Sequence, residues 1–154
     1  MKLSTKGRYA VMAMVDLAKH SQGCPVALAE IADRQEISLS YLEQLFARLR
    51  TAALVRSVRG PGGGYLLASD PAAIPVSSII LAVDEPIRTT RCAAGGEGKG
   101  CRSDKTRCLT HHLWEELDHQ ILLYLSSVSL ADVLERRVRP ARIADDRAAT
   151  IAAE

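Results

Sequence analysis

Residues 60–64 read Gly-Pro-Gly-Gly-Gly. Neither a helix nor an unbroken strand passes through such a run, because proline lacks an amide donor and glycine adopts left-handed backbone freely. Before it, Leu54–Val55–Arg56–Ser57–Val58–Arg59 alternates apolar and polar side chains, and Tyr65–Leu66–Leu67 returns after it. The pattern predicts a β-hairpin with a flexible, basic tip. It comes directly after a segment in which Leu39, Leu42, Phe46 and Leu49 recur at helical spacing, the period of an amphipathic helix.

Two further helices precede that one. Ser4 or Thr5 can cap a first helix running to about His20, with Tyr9, Met12, Ala13 and Leu17 toward the core. Gly23 and Pro25 end it. A short second helix carries Leu28, Ile31 and Ala32 on one face, and a tight turn at Glu36–Ile37–Ser38 leads into the third. Two short helices joined by a few residues form a helix-turn-helix. With the hairpin added, the expected fold is mainly α, a winged helix-turn-helix with a two-stranded wing.

The polar face of the third helix carries Ser40, Tyr41, Glu43, Gln44, Ala47 and Arg48. Serine and glutamine can hydrogen-bond base edges in the major groove, glutamate can accept from a cytosine amino group, and arginine holds phosphate or guanine. Any solvated helix face has a similar composition, but a place between turn and wing favours DNA reading. Ser38 in the turn, Arg56 on the first strand and Arg59 at the wing tip complete the candidate DNA-contacting set. Arg59 suits a narrow minor groove, where negative potential is concentrated. A nucleotide cradle is the other use of such glycines, yet the Lys-Ser/Thr ending of a phosphate loop and the dinucleotide fingerprint are absent. Charge agrees with a polyanionic partner at the N-terminal end. Residues 1–65 hold nine Lys/Arg against five acids, while residues 84–135 hold six against nine. Double-stranded DNA is the expected partner.

The 154 residues suffice for one globular domain with a proper core. No apolar run approaches the roughly 20 residues of a membrane span, and Met1–Ala10 lacks the apolar core of a signal peptide. A cytoplasmic location without a membrane partner is expected. Thiols stay reduced there, so a cysteine cluster favours metal or redox chemistry over disulfides.

Such a cluster follows the wing. Three of the four cysteines, Cys92, Cys101 and Cys108, lie with His111 on a glycine-rich segment. Three soft thiolates and an imidazole suit an inorganic centre, and the imidazole makes ligation dependent on protonation. Three cysteines and a histidine are equally a tetrahedral zinc set, and spacing alone does not separate zinc from iron–sulfur. His112 can substitute for His111. His119 reads as an ordinary helix-surface residue, and Cys24, near the end of the first helix, as a small partly buried one.

The blocks KGRYAVMAM, ISLSYLEQLFARLR, SVRGPGGGYLLA, AVDEPIRTTRC and CLTHHLW closely resemble the bacterial IscR family of iron–sulfur cluster regulators, over about residues 1–135. The resemblance implies a homodimeric winged-helix transcription factor, not an enzyme, carrying a [2Fe–2S] cluster supplied by the iron–sulfur cluster assembly machinery. It further implies that cluster occupancy changes which promoters are bound, with repression of the cluster-assembly genes. Carried over by position, Ser40, Glu43 and Gln44 read bases and Arg59 enters the minor groove. Cys92, Cys101, Cys108 and His111 are then the ligands, with His112 solvent-facing or supporting.

The family loop runs C-x5-C-x5-C-x2-H, whereas this chain has C-x8-C-x6-C-x2-H. Reach is ample at over about 3 Å per residue, and ordering a longer loop adds little entropy. The widening therefore bears on cluster lifetime and geometry more than on binding. Neighbouring families with three cysteines hold [4Fe–4S] clusters, one of them through a carboxylate near the N-terminus. The matching residue here is Arg8, which cannot ligate, so His111 favours the two-iron centre.

Val76 to Val83 reads as a short helix linking DNA-binding and sensing parts, ended by Asp84, Glu85 and Pro86. After the loop, Leu113, Trp114, Leu117, Ile121, Tyr124, Leu125 and Val128 form a long apolar stripe. Core and dimer interface explain its periodicity equally, and the resemblance favours a long dimerisation helix. Ser129 can cap a last short helix through Leu134. The expected division is a winged helix-turn-helix over 1–75, then linker helix, cluster-binding loop (92–111) and dimerisation helix over 76–135, and a disordered tail over 136–154. Competing readings are a zinc-stabilised winged-helix regulator, a [4Fe–4S] sensor of nitric oxide or iron from the same family, and an electron carrier or enzyme. A carrier needs neither recognition helix nor wing, and no nucleophile–base pair or paired carboxylates stand at an obvious catalytic spacing.

Overall fold

The computed structural model describes residues 5–88, 101 and 106–138. Ser4, Cys92 and the expected tail from residue 139 lie outside the described residues. The elements run α1 (Thr5–Ser21), α2 (Leu28–Gln35), α3 (Leu39–Thr51), β1 (Val55–Val58), β2 (Gly64–Leu67), a 3-10 turn (Pro71–Ala73), α4 (Val76–Ala82), α5 (His111–Ser127) and α6 (Leu130–Leu134).

Helix α1 buries Ala10, Ala13, Met14 and Leu17, the i, i+3, i+4, i+7 pattern of one helical face. Met14 therefore takes the core position expected of Met12. Met12 instead lines an apolar groove of about 340 Å³ with Val11, Val76, Ile80 and Leu125. After Gln22 and Gly23, both in left-handed backbone at φ 37° and 87°, Cys24 is exposed rather than partly buried. The turn swings it away from the body.

Helix α2 ends at Glu36, which adopts φ 53° and donates its backbone N–H to the Ala32 carbonyl. The left-handed residue reverses the chain, drops Ile37 into the core and starts α3. In α3 Leu42, Leu45, Phe46 and Leu49 are buried. Leu39 is 41 % exposed, because it opens the helix one turn before the next apolar contact, and Leu45 fills the expected stripe in its place.

An ion-pair network fastens α2 to α1. Asp16 is 3 % exposed on the inner face of α1. Arg34 donates to its carboxylate from Nε at 3.1 Å and Nη2 at 2.7 Å, and Gln35 Nε2 donates at 2.7 Å. Burial pushes the Asp16 carboxyl up, but the hydrogen bonds from Arg34 and Gln35, helped by the charges of Arg34 and His20, bring it below its ordinary value.

Strands β1 and β2 pair antiparallel, from Val55 opposite Leu67 to Val58 opposite Gly64. Val26, in the α1–α2 connection, exchanges both backbone hydrogen bonds with Tyr65, at 3.0 and 2.8 Å. This close approach requires Gly64, since a Cβ there would strike the Val26 carbonyl. The wing is thus pinned at its base while Arg59 and Gly60 at its tip are exposed.

One buried core joins the helix-turn-helix to Ile74, Ile79, Val83 and Leu130. Chain ends of the second half return to it through backbone hydrogen bonds from Val76 to Val128 (2.9 Å) and from Leu130 to Ile74 (2.8 Å). Ser129 caps α6 reciprocally with Asp132, as its position predicts. Helix α5 touches the body through Tyr124 and Leu125, which pack on Val76, Ile80 and Val128, and through a Ser126–Ser77 hydroxyl hydrogen bond at 2.9 Å. Leu113, Leu117, Leu122 and Leu123 remain exposed. No described helix is long and apolar enough to cross a membrane.

Candidate nucleic-acid interface and metal centre

The core face of α3 decides what its other face presents. With Leu42, Leu45, Phe46 and Leu49 inward, Ser40, Glu43, Gln44 and Ala47 are exposed on the opposite side. Ser38 stands at the N-cap, exposed, with no side-chain capping bond. Tyr41 departs from the expected polar face. It is half-buried and meets Tyr9 edge-on, with centroids 6.0 Å apart at 85°, because it sits one residue round from Ser40 toward the core side. Arg48 lies at the other end of the helix and is ion-paired with Asp84. Arg56 and Arg59 are exposed on the wing. The wing and α3 are joined by Phe46 and Tyr65, whose rings meet at 4.9 Å and 68°. Exposed polar groups on a rigid helix beside an arginine-bearing hairpin match what a major-groove reader with a minor-groove arm requires.

The second site lies at the start of α5. His111 is the one residue of that helix that is buried, at 3 % exposure, whereas the neighbouring His112 points to solvent at 80 %. A rotation of 100° per residue separates adjacent side chains, so one of the two adjacent histidines turns inward and the other outward. Cys101 Sγ lies 3.0 Å from His111 Nδ1. The His111 backbone N–H donates to the Cys108 carbonyl at 3.0 Å, which holds that cysteine at the helix entrance. Cys108 Sγ is 3.7 Å from Thr110 Oγ1, and Trp114 Nε1 donates to the same oxygen at 3.2 Å.

The other imidazole nitrogen, His111 Nε2, is buried with no hydrogen-bond partner among the described residues. Glu115 is 3.8 Å away, beyond hydrogen-bond reach. A buried nitrogen left unpaired is costly unless something completes it. Among the described residues no group of three or more His, Cys, Asp or Glu converges as a closed metal site, and Cys92 lies outside them. Two soft sulfur donors and a buried imidazole nonetheless fit an iron–sulfur or zinc centre in kind. Arg8 is exposed. His119 is on the helix surface near Glu116, at 3.9 Å.

Three contacts escaped sequence reasoning: Asp16 with Arg34, Arg48 with Asp84, and Thr110 with Trp114. The first two join charges far apart in the chain, which no local pattern signals. For the third, the i, i+4 spacing of Thr110 and Trp114 was the available cue.

A helix-turn-helix whose second helix presents a polar face beside a two-stranded wing defines a winged-helix DNA-binding regulator. Comparison with known proteins agrees. Residues 3–136 match the family described as Rrf2, iron-dependent transcriptional regulator. The chain is 55 % identical over 138 residues to the HTH-type transcriptional regulator IscR of Yersinia pseudotuberculosis serotype O:1b (strain IP 31758), covering 89 % of this chain and 81 % of that one. Among solved structures it is similar to T. potens IscR, with TM-score 0.70 and 41 % identity over 97 % of this chain and 96 % of that one. It is also similar to CymR, the global cysteine regulator of B. subtilis, with TM-score 0.71 and 35 % identity over 88 % and 98 %. The chain belongs to the Rrf2 family of transcriptional regulators. Within it the chain is an IscR-like, DNA-binding helix-turn-helix regulator, and its relatives are regulators rather than enzymes.

Proposed function

We propose that this regulator senses iron–sulfur cluster status through a [2Fe–2S] cluster held by Cys92, Cys101, Cys108 and His111, and that it represses the cluster-assembly genes. The observation that carries the reading is the buried His111 imidazole, one nitrogen against the Cys101 thiol and the other without a hydrogen-bond partner among the described residues. When bound, the cluster supplies an oxygen- and redox-labile iron–sulfide centre. The chain's own residues do the rest. Cys108 and His111 are fixed to each other through the first turn of α5, so whatever holds them orders the N-terminal end of that helix. The cluster comes from the iron–sulfur assembly machinery, and the protein works in the cytoplasm.

The exposed leucines of α5 support a homodimer, in which two such helices cover each other and the two reading heads meet a two-fold operator. Residues 1–75 bind DNA and residues 76–135 carry linker, cluster loop and dimerisation helix. Ser38, Ser40, Glu43, Gln44, Arg48, Arg56 and Arg59 form the DNA-contacting set, with Ser40, Glu43 and Gln44 on base edges and Arg59 in the minor groove, while Tyr41 braces the helix against Tyr9. Glu43 is the discriminator: its carboxylate repels phosphates and acceptor edges unless a base donates to it.

The test compares cluster-loaded protein with protein stripped anaerobically by chelation, on duplexes carrying the cluster-assembly promoter and a second regulated promoter. The two forms are expected to rank the promoters differently. Glu43→Ala is expected to shrink that difference by about 1–3 kcal/mol, the scale of one base contact. Unchanged promoter preference in both forms of Glu43→Ala would refute the discriminator role.

A further inference from the structure

The turn that ends α4 is built in a way that α4 does not need. Asp84 has φ 53°, and its N–H bonds the Leu81 carbonyl at 3.0 Å while the Glu85 N–H bonds that of Ile80 at 3.4 Å. This pair of bonds closes a helix around one left-handed residue, a position at which glycine is favoured. Aspartate tolerates left-handed backbone better than most residues but less well than glycine. A carboxylate at a helix C-terminus also faces the negative end of the helix dipole. Both effects disfavour Asp84 as a cap.

What Asp84 does touch is the DNA-reading helix. Its carboxylate is ion-paired with Arg48 of α3, across a surface groove lined by Ala47, Thr51 and Leu81. Arg48 is four residues after Gln44 and eight after Ser40, so it borders the exposed reading face. Side-chain exposures of 42 % for Arg48 and 75 % for Asp84 leave the pair open to water, where such pairs add little to stability. They also leave the guanidinium within reach of an incoming phosphate.

We propose that Asp84 is an affinity-setting residue, an internal anion that occupies Arg48 and must be displaced before Arg48 can neutralise a DNA phosphate. The inference rests on the DNA-binding reading of α3. Asp84 weakens the sequence-independent part of binding and leaves base reading by Ser40 and Gln44 untouched, so it favours specific sites over bulk DNA. It also stands on the segment that leads from α4 toward Cys92, so the anion is carried by the stretch between reading head and candidate cluster loop.

The experiment measures binding of the full chain to a random-sequence DNA duplex across a range of salt concentrations. Asp84→Asn removes the charge and keeps the shape, while Asp84→Gly removes the charge and suits the left-handed turn, so loss of fold does not confound the result. Both variants are expected to bind about 3- to 10-fold tighter at low salt, with a log–log salt slope steeper by about 0.9, the signature of one added phosphate contact. Arg48→Ala, which removes a DNA-contacting residue, is expected to weaken binding by itself and to abolish the gain when combined with Asp84→Asn. Unchanged affinity and slope in both Asp84 variants would overturn the proposal, as would a gain that survives in the Arg48→Ala background. A wild-type chain without salt-dependent duplex binding would instead overturn the DNA-binding reading and the proposal together.

Discussion

Phe46→Ala is expected to lower the stability of the fold by about 3–5 kcal/mol, the range for removing a fully buried aromatic ring. Phe46 is the one phenylalanine of the chain and has no exposed surface. It sits on α3 among Leu42, Leu45 and Leu49 and meets Tyr65 of the wing edge-on at 4.9 Å. Its removal opens a cavity where helix and hairpin meet. Since a domain of this size has about 5–15 kcal/mol in total, the loss is a large share. Urea unfolding should show a lower midpoint at an unchanged slope. A change under about 1 kcal/mol would mean that the ring does not join α3 to the wing.

Arg34→Ala is expected to destabilise by about 3 kcal/mol at neutral pH, the low end for breaking a buried ion pair. The low end applies because Arg34 is 32 % exposed, while its partner Asp16 is 1 % exposed by side chain. Removing Arg34 strands the carboxylate with Gln35 and His20. The effect has a definite pH dependence. In the intact protein the folded-state pKa of Asp16 is depressed, so its contribution is present above the unfolded value and is lost as pH falls through the folded value. Without Arg34 the carboxyl loses its main lowering partner and burial pushes it up, so the variant loses less stability than the intact protein as pH falls. The gap between the two proteins should be widest near neutrality and narrow below about pH 4. Asp16→Asn in the Arg34→Ala background should recover part of the loss. A gap independent of pH would assign the effect to lost packing instead.

The helix-turn-helix and wing were legible in the sequence because each rests on local signals: the leucine period of α3, the glycine run at 60–64, and the short turn at Glu36–Ile37–Ser38 between two apolar periods. Faces were legible only where the period ran long enough. Met14 displaced Met12 and Leu45 displaced Leu39, since one residue of phase at a helix end decides burial. The return of Leu130 to the core against α1 was not legible, for it depends on packing across more than a hundred residues. At the metal centre the residue types and their order were plain, while the burial of His111 beside an exposed His112 depends on the phase of α5. Asp84 read only as a helix stop. Its partner Arg48 is 36 residues earlier, and such a pairing exists only once α3 and α4 share a core.

The cysteine–histidine centre joined to the DNA-reading head is tested most directly by the visible absorption spectrum of anaerobically purified protein, with Cys92→Ala as comparison. A [2Fe–2S] centre on these ligands gives thiolate-to-iron charge-transfer bands, iron and acid-labile sulfide in equal amounts, and loss of both in Cys92→Ala. A colourless protein that contains zinc, or bands undiminished in Cys92→Ala, would contradict this assignment.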